Sequence, residues 1–192
     1  WDWQIGAPRE LVDIIVLIDK EFGDLKGKLI EAVDRFVPDA TKRLGQSASF
    51  KETGANLLEK ALIVAIRGIA DGNDERVSHA ATVVQEVFPY VTKGDGFYID
   101  GSFLQHGDIA YTGSYGAVLL NSLSNLLYIV QDTEHKIDTA DYYNLFRWMK
   151  DSYEPIIAIG GNVTDNVRGR AISRKSQQGD SRGKFIISSM LR

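Results

Sequence analysis

The sequence predicts an all-α fold: an array of helical hairpins, arranged as a toroid or a solenoid. Three observations carry this. Apolar residues recur at spacings of three and four almost throughout the chain, the period of one helix face. Strand-like alternation is scarce. Short turns alternate with longer loops, as hairpin arrays require, and no close internal repeat marks a tandem-repeat family. The composition agrees with one domain, or part of one: 192 residues, 44% hydrophobic and 25% charged, with 18 Gly and 4 Pro. Such a chain is too apolar for a disordered tail and long enough to bury a core. Cys is absent, which removes thiol nucleophiles, disulfides and Cys-ligated metal sites. No apolar run reaches the roughly 20 residues that cross a bilayer. The chain begins at Trp1 rather than Met, so it reads as a piece of a longer protein.

The elements follow in order. Pro8 suits the first turn of a helix, and Leu11, Ile14, Ile15, Ile18 and Phe22 supply its apolar face before Gly23 ends it. A second amphipathic helix carries Leu25, Leu29, Ile30, Val33 and Phe36 and closes at Pro38; residues 45–51 are small and polar, a loop. Residues 56–70 are apolar on nearly all sides, as in a helix packed between others. Asp71-Gly72-Asn73-Asp74 breaks that helix, and Val77 to Val91 is helical again. Residues 93–113 hold five glycines and scattered aromatics, a long loop of the kind that often carries function. Ser114 is placed to cap a helix through Val130, and Thr139 to open the last one, to about Tyr153.

The net charge of −4 hides an asymmetry: residues 162–192 carry seven basic side chains against Asp165 and Asp180. That balance suits an anionic ligand or a solvated charged surface. Three segments concentrate polar and aromatic groups. Trp1-Asp2-Trp3, with Arg9 behind it, could stack on sugar faces or pack into the core. In the second, His106 precedes Tyr115 by nine residues, with Tyr115 near a helix start, where the backbone favours negative charge and so a proton-transferring phenol. In the third, Arg168-Gly169-Arg170-Ala171-Ile172-Ser173-Arg174, arginines four apart share a face if helical, and each can clamp a carboxylate or a phosphate. His79 and His135 lack neighbours at metal-ligand spacing and read as structural or surface groups. No P-loop, GxSxG or HExxH motif occurs.

Four ordered segments together resemble the catalytic α/α-toroid of polysaccharide lyase family 8, which includes hyaluronate, chondroitin AC and xanthan lyases. WDWQIGAPR is similar to the family's N-W-W-D-W-E-I-G-x-P-R, entered at the second Trp. GANLLE resembles G-(G/A)-N-L-x-(D/E). GFYIDGSFLQHGDIAYTGSYG is close to G-F-x-x-D-G-S-x-x-Q/D-H followed by Y-x-G-x-Y-G, and RGRAISR to R-G-R-x-x-S-R. Gln4 and Ala55 depart mildly, standing where Glu and the second Gly are usual.

The resemblance implies that residues 1–192 are a single segment of an incomplete toroid of antiparallel hairpins. It also implies further toroid helices and C-terminal β-sandwich domains outside this chain, so the fragment alone is expected to be weakly active or inactive. It assigns catalysis to Asn56, His106, Tyr115, Arg170 and Arg174, and substrate binding to Trp1, Trp3, Arg9 and Phe50. The implied reaction is β-elimination in an acidic, uronate-containing polysaccharide, with no cofactor, metal, nucleic acid or membrane insertion, in a secreted or cell-surface protein. The C5 proton of a uronate is too weakly acidic for an ordinary side-chain base, so the neighbouring carboxylate must first be neutralised. Asn56 suits that task, and Tyr115 suits proton abstraction and return to the leaving oxygen, with His106 in support. Two other readings remain: a non-catalytic polysaccharide-binding fragment, and a toroid glycoside hydrolase. The hydrolase would need two carboxylates, for which Asp100 and Asp108 are the candidates.

Overall fold

The computed structural model describes residues 1–192, apart from the side chain of Asp19. A π-helical turn over Asp2–Gly6 runs directly into α1 (Ala7–Leu17), with Pro8 in the first turn, where a missing N–H leaves no bond unmade. Val12 and Ile15 of α1 are buried, whereas Ile14, Leu17 and Ile18 are exposed. After a 3₁₀ turn, α2 (Leu25–Phe36) turns Ile30 and Val33 inward. The central helix α3 (Gly54–Asp71) is buried at every residue from Gly54 to Gly68 except Glu59, which explains its unbroken apolar sequence. Its end uses the break seen in the sequence: Gly72 adopts φ +64°, and Asn73 accepts a hydrogen bond from Arg76 N at 3.2 Å to cap α4 (Asp74–Val83).

The aromatic loop folds into a small antiparallel sheet, β1 (Gly96–Phe97), β2 (Phe103–Gln105) and β3 (Ile109–Ala110), in the order β1-β2-β3 with Phe97 opposite Phe103 and Gln105 opposite Ile109. A second π-helical turn, over Thr112–Gly116, leads into α5 (Ala117–Val130); α6 (Asn144–Trp148) continues through a third such turn to Tyr153, and α7 (Ser181–Met190) follows. Helix α3 packs on α1, α4 and α5, and α5 on α7. The result is a hairpin array around α3, mostly helical as expected. Under the sheet, Phe97 stacks on Trp148 at 4.1 Å between ring centroids and tilts against Phe103 at 4.8 Å; all three are buried.

Five readings differ from the structure. The first helix, expected to reach Gly23, ends at Leu17, and because Val12 and Ile15 take its inward face, Ile14 and Ile18 turn to solvent. The helix expected over 77–91 ends at Val83 and decays through a 3₁₀ turn to Val87, because Pro89 lies just beyond and disfavours helix before it. Ser114 caps nothing: it lies inside the π-helical turn, which opens at Thr112. Thr139 does not start a helix; α6 begins at Asn144, whose Nδ2 donates to Phe88 O at 2.9 Å while Tyr142 stacks on Phe88. The arginine segment is a 3₁₀ turn (Gly169–Ser173), not an α-helix, and Gly169 at φ +50° starts it. The three strands were missed because runs of two or three residues are too short to show alternation.

Candidate active site

The start of α3 sets the position of the first candidate residue. Gly54 has φ +54°, and a Cβ there would stand 2.6 Å from Gln105 Oε1. That oxygen accepts from Ala55 N at 3.1 Å, so the end of β2 caps the helix in place of Thr53. Thr53 Oγ1 donates instead to Asp95 Oδ2 at 2.7 Å, and Asp95 Oδ1 accepts from Gly107 N at 3.0 Å. His106 sits between these two tethers with φ +60°, the one described non-glycine residue in the left-handed region. Such backbone persists only when its surroundings over-determine it. The tethers bring His106 into the same cavity as Asn56, which is buried in the first turn of α3.

Tyr115 projects from the turn before α5. Its ring meets His106 edge-on at 4.9 Å and 88°, and Tyr111 at 4.8 Å. Arg170 Nη2 donates to the Tyr115 hydroxyl at 3.0 Å across 55 residues of sequence. The RGR segment makes this reach feasible. Arg168 is buried and bonded to Asp165, Gln177 O and Gln178, so it anchors the turn. Gly169 lies against Tyr111, and any Cβ would fall 2.1 Å from its Cε1. Gly169→Ala is therefore expected to cost about 2–4 kcal/mol of stability and to displace Arg170 from Tyr115. Thermal melts of the variant check this; a change within the error of the wild type would remove the steric argument.

A buried charge network underlies the cavity. Glu52 accepts from Arg43 Nε at 3.2 Å and Nη2 at 2.5 Å, pairs with Lys60 Nζ at 3.0 Å, and accepts from Asn56 Nδ2 at 3.4 Å. Burial alone would raise the Glu52 carboxyl; hydrogen bonds from Arg43 and Lys60 outweigh it and hold the group below its ordinary value. Lys60 also donates to Gln4 Oε1 at 3.2 Å and Lys42 O at 2.6 Å, and burial, opposed by Glu52, lowers its ammonium. Gln4, the mild departure from the family pattern, thus joins the N-terminal turn to α3.

Glu59 behaves oppositely. Burial raises its carboxyl from 4.5 to about 7, and Arg9 offsets only part of this. Folding therefore prefers the protonated form: its contribution is fully present below pH 4.5 and is lost as the pH rises through about 7. The swing is on the order of 1–3 kcal/mol once solvent screening is counted. Glu59→Gln is expected to flatten stability between pH 5 and 8, measured by urea unfolding; an unchanged slope would contradict this assignment.

These groups border one open cavity of about 990 Å³. Asn56, His106, Tyr115, Arg170, Arg174 and Trp1 all line it, joined by Arg43, Glu52, Glu59, Lys60, Tyr111, Gln177 and Arg182. Three of the expected substrate residues do not. Trp3 stacks on Phe36 at 5.6 Å, Arg9 pairs with Asp13, and Phe50 lies beneath Arg43, 4.6 Å from its guanidinium carbon. Trp1 is 68% exposed at the rim, which answers the core-or-surface alternative for that ring. The two hydrolase candidates are elsewhere: Asp100 bonds Ser102 within its own loop and borders a separate depression, and Asp108 is exposed outside the cavity. His135 has more company than expected, with Asp74 at 2.6 Å and Glu134 beside it, while His79 faces Asp39 at 3.5 Å. These contacts span long sequence separations that local spacing cannot reveal. Glu52, Arg43, Lys60 and Arg182 were likewise missed, because nothing in their local sequence marks charges brought together only by folding.

Helical hairpins around a basic, aromatic-rimmed cleft place this chain in the α/α-toroid class. The chain belongs to polysaccharide lyase family 8: the model of that family's N-terminal alpha-helical domain matches residues 1–192. It is 33% identical to a xanthan lyase of Bacillus sp. (strain GL1) over 195 residues, covering all of this chain and 20% of that protein. It is 35% identical to a hyaluronate lyase of Thermasporomyces composti over 192 residues, again covering all of this chain and 24% of the relative. The Streptomyces coelicolor A3 chondroitin AC lyase, solved in complex with chondroitin sulphate, superposes with a TM-score of 0.89 at 36% identity, over 99% of this chain and 26% of that one. The chain thus spans about a quarter or less of the length of these relatives. Among the described residues, no helix is long and apolar enough to cross a membrane.

Proposed function

We propose that this chain is a segment of the catalytic toroid of a polysaccharide lyase that cleaves an acidic, uronate-containing polymer of the hyaluronan, chondroitin or xanthan type by β-elimination. One observation carries the reading. An arginine donates into a tyrosine hydroxyl, a histidine ring lies against that tyrosine, and a buried asparagine faces the same cavity. Asn56 neutralises the uronate carboxylate, with its amide held from behind by Glu52, so that charge developing beside C5 is stabilised. Arg170, which donates to Tyr115, adds positive charge at the same place. Tyr115, as phenolate supported by Arg170, takes the C5 proton; the C5–H electron pair becomes the C4–C5 double bond and the C4–oxygen bond breaks. The phenol then returns a proton to the departing oxygen. His106 orients the ring or the carboxylate. No water molecule is consumed, which separates this reaction from hydrolysis.

In this proposal the remaining toroid helices and the β-sandwich domains of the parent complete the cleft, and the whole protein acts outside the cell, where such polymers occur. The short span against its relatives supports the first point, and the extracellular occurrence of such polymers supports the second. The test is a panel of hyaluronan, chondroitin and xanthan incubated with the full-length protein and followed by ultraviolet absorbance. A conjugated, absorbing product is expected from at least one polymer. Reducing ends appearing without absorbance would replace elimination by hydrolysis. Binding with no new chain ends would leave a carbohydrate-binding fragment.

A further inference from the structure

The buried cations of this chain follow one rule, with one exception. Lys60 faces Glu52, Arg67 faces Asp34 and Val37 O, and Arg168 faces Asp165 and Gln177 O. Arg182 is only 8% exposed, yet among the described residues it has no carboxylate and no hydrogen-bond acceptor. It projects from the first turn of α7 into the cavity, with Phe185 lying 5.2 Å from its guanidinium carbon. The charges nearest it have the wrong sign: burial first, then Arg168 and Arg174, press its guanidinium toward the neutral form. Arg174 also lines the cavity without an ion pair among the described residues, and Gln177 beside it holds a buried amide Oε1 that receives no donor.

A guanidinium that is largely desolvated, opens only onto the cavity and has no counter-ion is poised to take an anion, and an oxyanion entering the cavity would meet two guanidiniums without ion pairs and gain charge-assisted hydrogen bonds from both. We infer that Arg182, with Arg174, forms a second anion subsite in the cleft, which takes a carboxylate or sulfate of the polymer other than the carboxylate of the reacting sugar. Gln177 Oε1 would accept from a neighbouring sugar hydroxyl. The inference deepens the proposed function and rests on it. It assigns the cleft to polymers whose acidic groups recur along the chain, because a single uronate would leave this subsite empty.

The experiment uses the full-length protein and three substrates: sulfated chondroitin, the same chondroitin chemically desulfated, and hyaluronan, whose acidic groups are all carboxylates. Inorganic sulfate serves as a competing ion. Arg182→Met is expected to raise KM about tenfold with kcat within about threefold, to weaken inhibition by sulfate by a similar factor, and to leave the melting temperature at or above wild type. Arg182→Lys, which keeps the positive charge, is expected to recover part of the loss and guards against a variant that fails to fold. A KM effect confined to the sulfated polymer identifies a sulfate ester as the occupant; an effect on all three identifies a carboxylate. The inference is overturned if KM and sulfate inhibition are unchanged while the wild type turns over normally. It is equally overturned if both variants lose kcat, KM and thermal stability together, which would mean that an acidic side chain elsewhere in the parent pairs with Arg182. Absence of wild-type turnover on every polymer would sink the proposed function instead, and direct calorimetric binding of sulfate to wild type and Arg182→Met would still decide the subsite.

Discussion

Tyr115→Phe in the full-length protein is expected to reduce elimination by about 10²–10⁴-fold, the range associated with loss of a general acid–base group, while oligosaccharide binding stays within about tenfold. The substitution is narrow. Phenylalanine keeps the ring that His106 and Tyr111 pack against and removes only the oxygen to which Arg170 donates. Proton removal at C5 and proton return to the leaving oxygen would both lose their carrier. Substrate would still find Asn56 beneath its carboxylate and Trp1 at the rim. Ultraviolet turnover together with calorimetric binding separates the outcomes. Loss of binding would recast Tyr115 as a platform for the sugar, and retained turnover would transfer the base role to His106.

Lys60→Met is expected to destabilise the fold by about 3–5 kcal/mol, the cost of removing one partner from a buried ion pair. The ammonium is 1% exposed and the Glu52 carboxylate 3%. The ammonium ties three separate segments, through Gln4, Lys42 O and Glu52, to α3. Without it, Glu52 keeps only Arg43 as a cation, and the N-terminal turn loses a bond to the central helix. Adding Glu52→Gln should recover part of the loss, because the stranded charge goes with it. Denaturant titration of both variants measures this; a single-variant loss below about 1 kcal/mol would show that the carboxylate is adequately held by Arg43 alone.

Much of this architecture was legible in the residues. The period of three and four along α2 and α3, and the Gly72-Asn73 break, appear where the spacing and capping rules put them, whereas α1 stops at Leu17 with Ile14 and Ile18 outside the core. Six of the nine candidate site residues meet in one cavity, because motif order constrained them jointly. What escaped was long-range. Gln105 caps a helix 50 residues earlier, Glu52 and Lys60 neutralise each other inside the core, and the ring of Trp3 found Phe36 rather than the cleft. Each outcome depends on how segments meet, and a local pattern carries no record of that. Short strands and 3₁₀ turns escaped for another reason: they are too brief for periodicity to register.

The two ends of the proposed carboxylate clamp are mounted on supports of unequal firmness. Asn56 is set in α3, enclosed on several sides, whereas Arg170 rides a five-residue 3₁₀ arm whose outer side chains face water. The arm is pinned at Arg168 and Ala171, but its exposed outer part is the kind of short segment that opens locally before a protein melts as a whole. On warming, the arm is expected to release Tyr115 before the amide leaves its seat. If the full-length protein is a lyase, its turnover should fall on warming while its circular dichroism still reports an intact helical body, and should return on cooling.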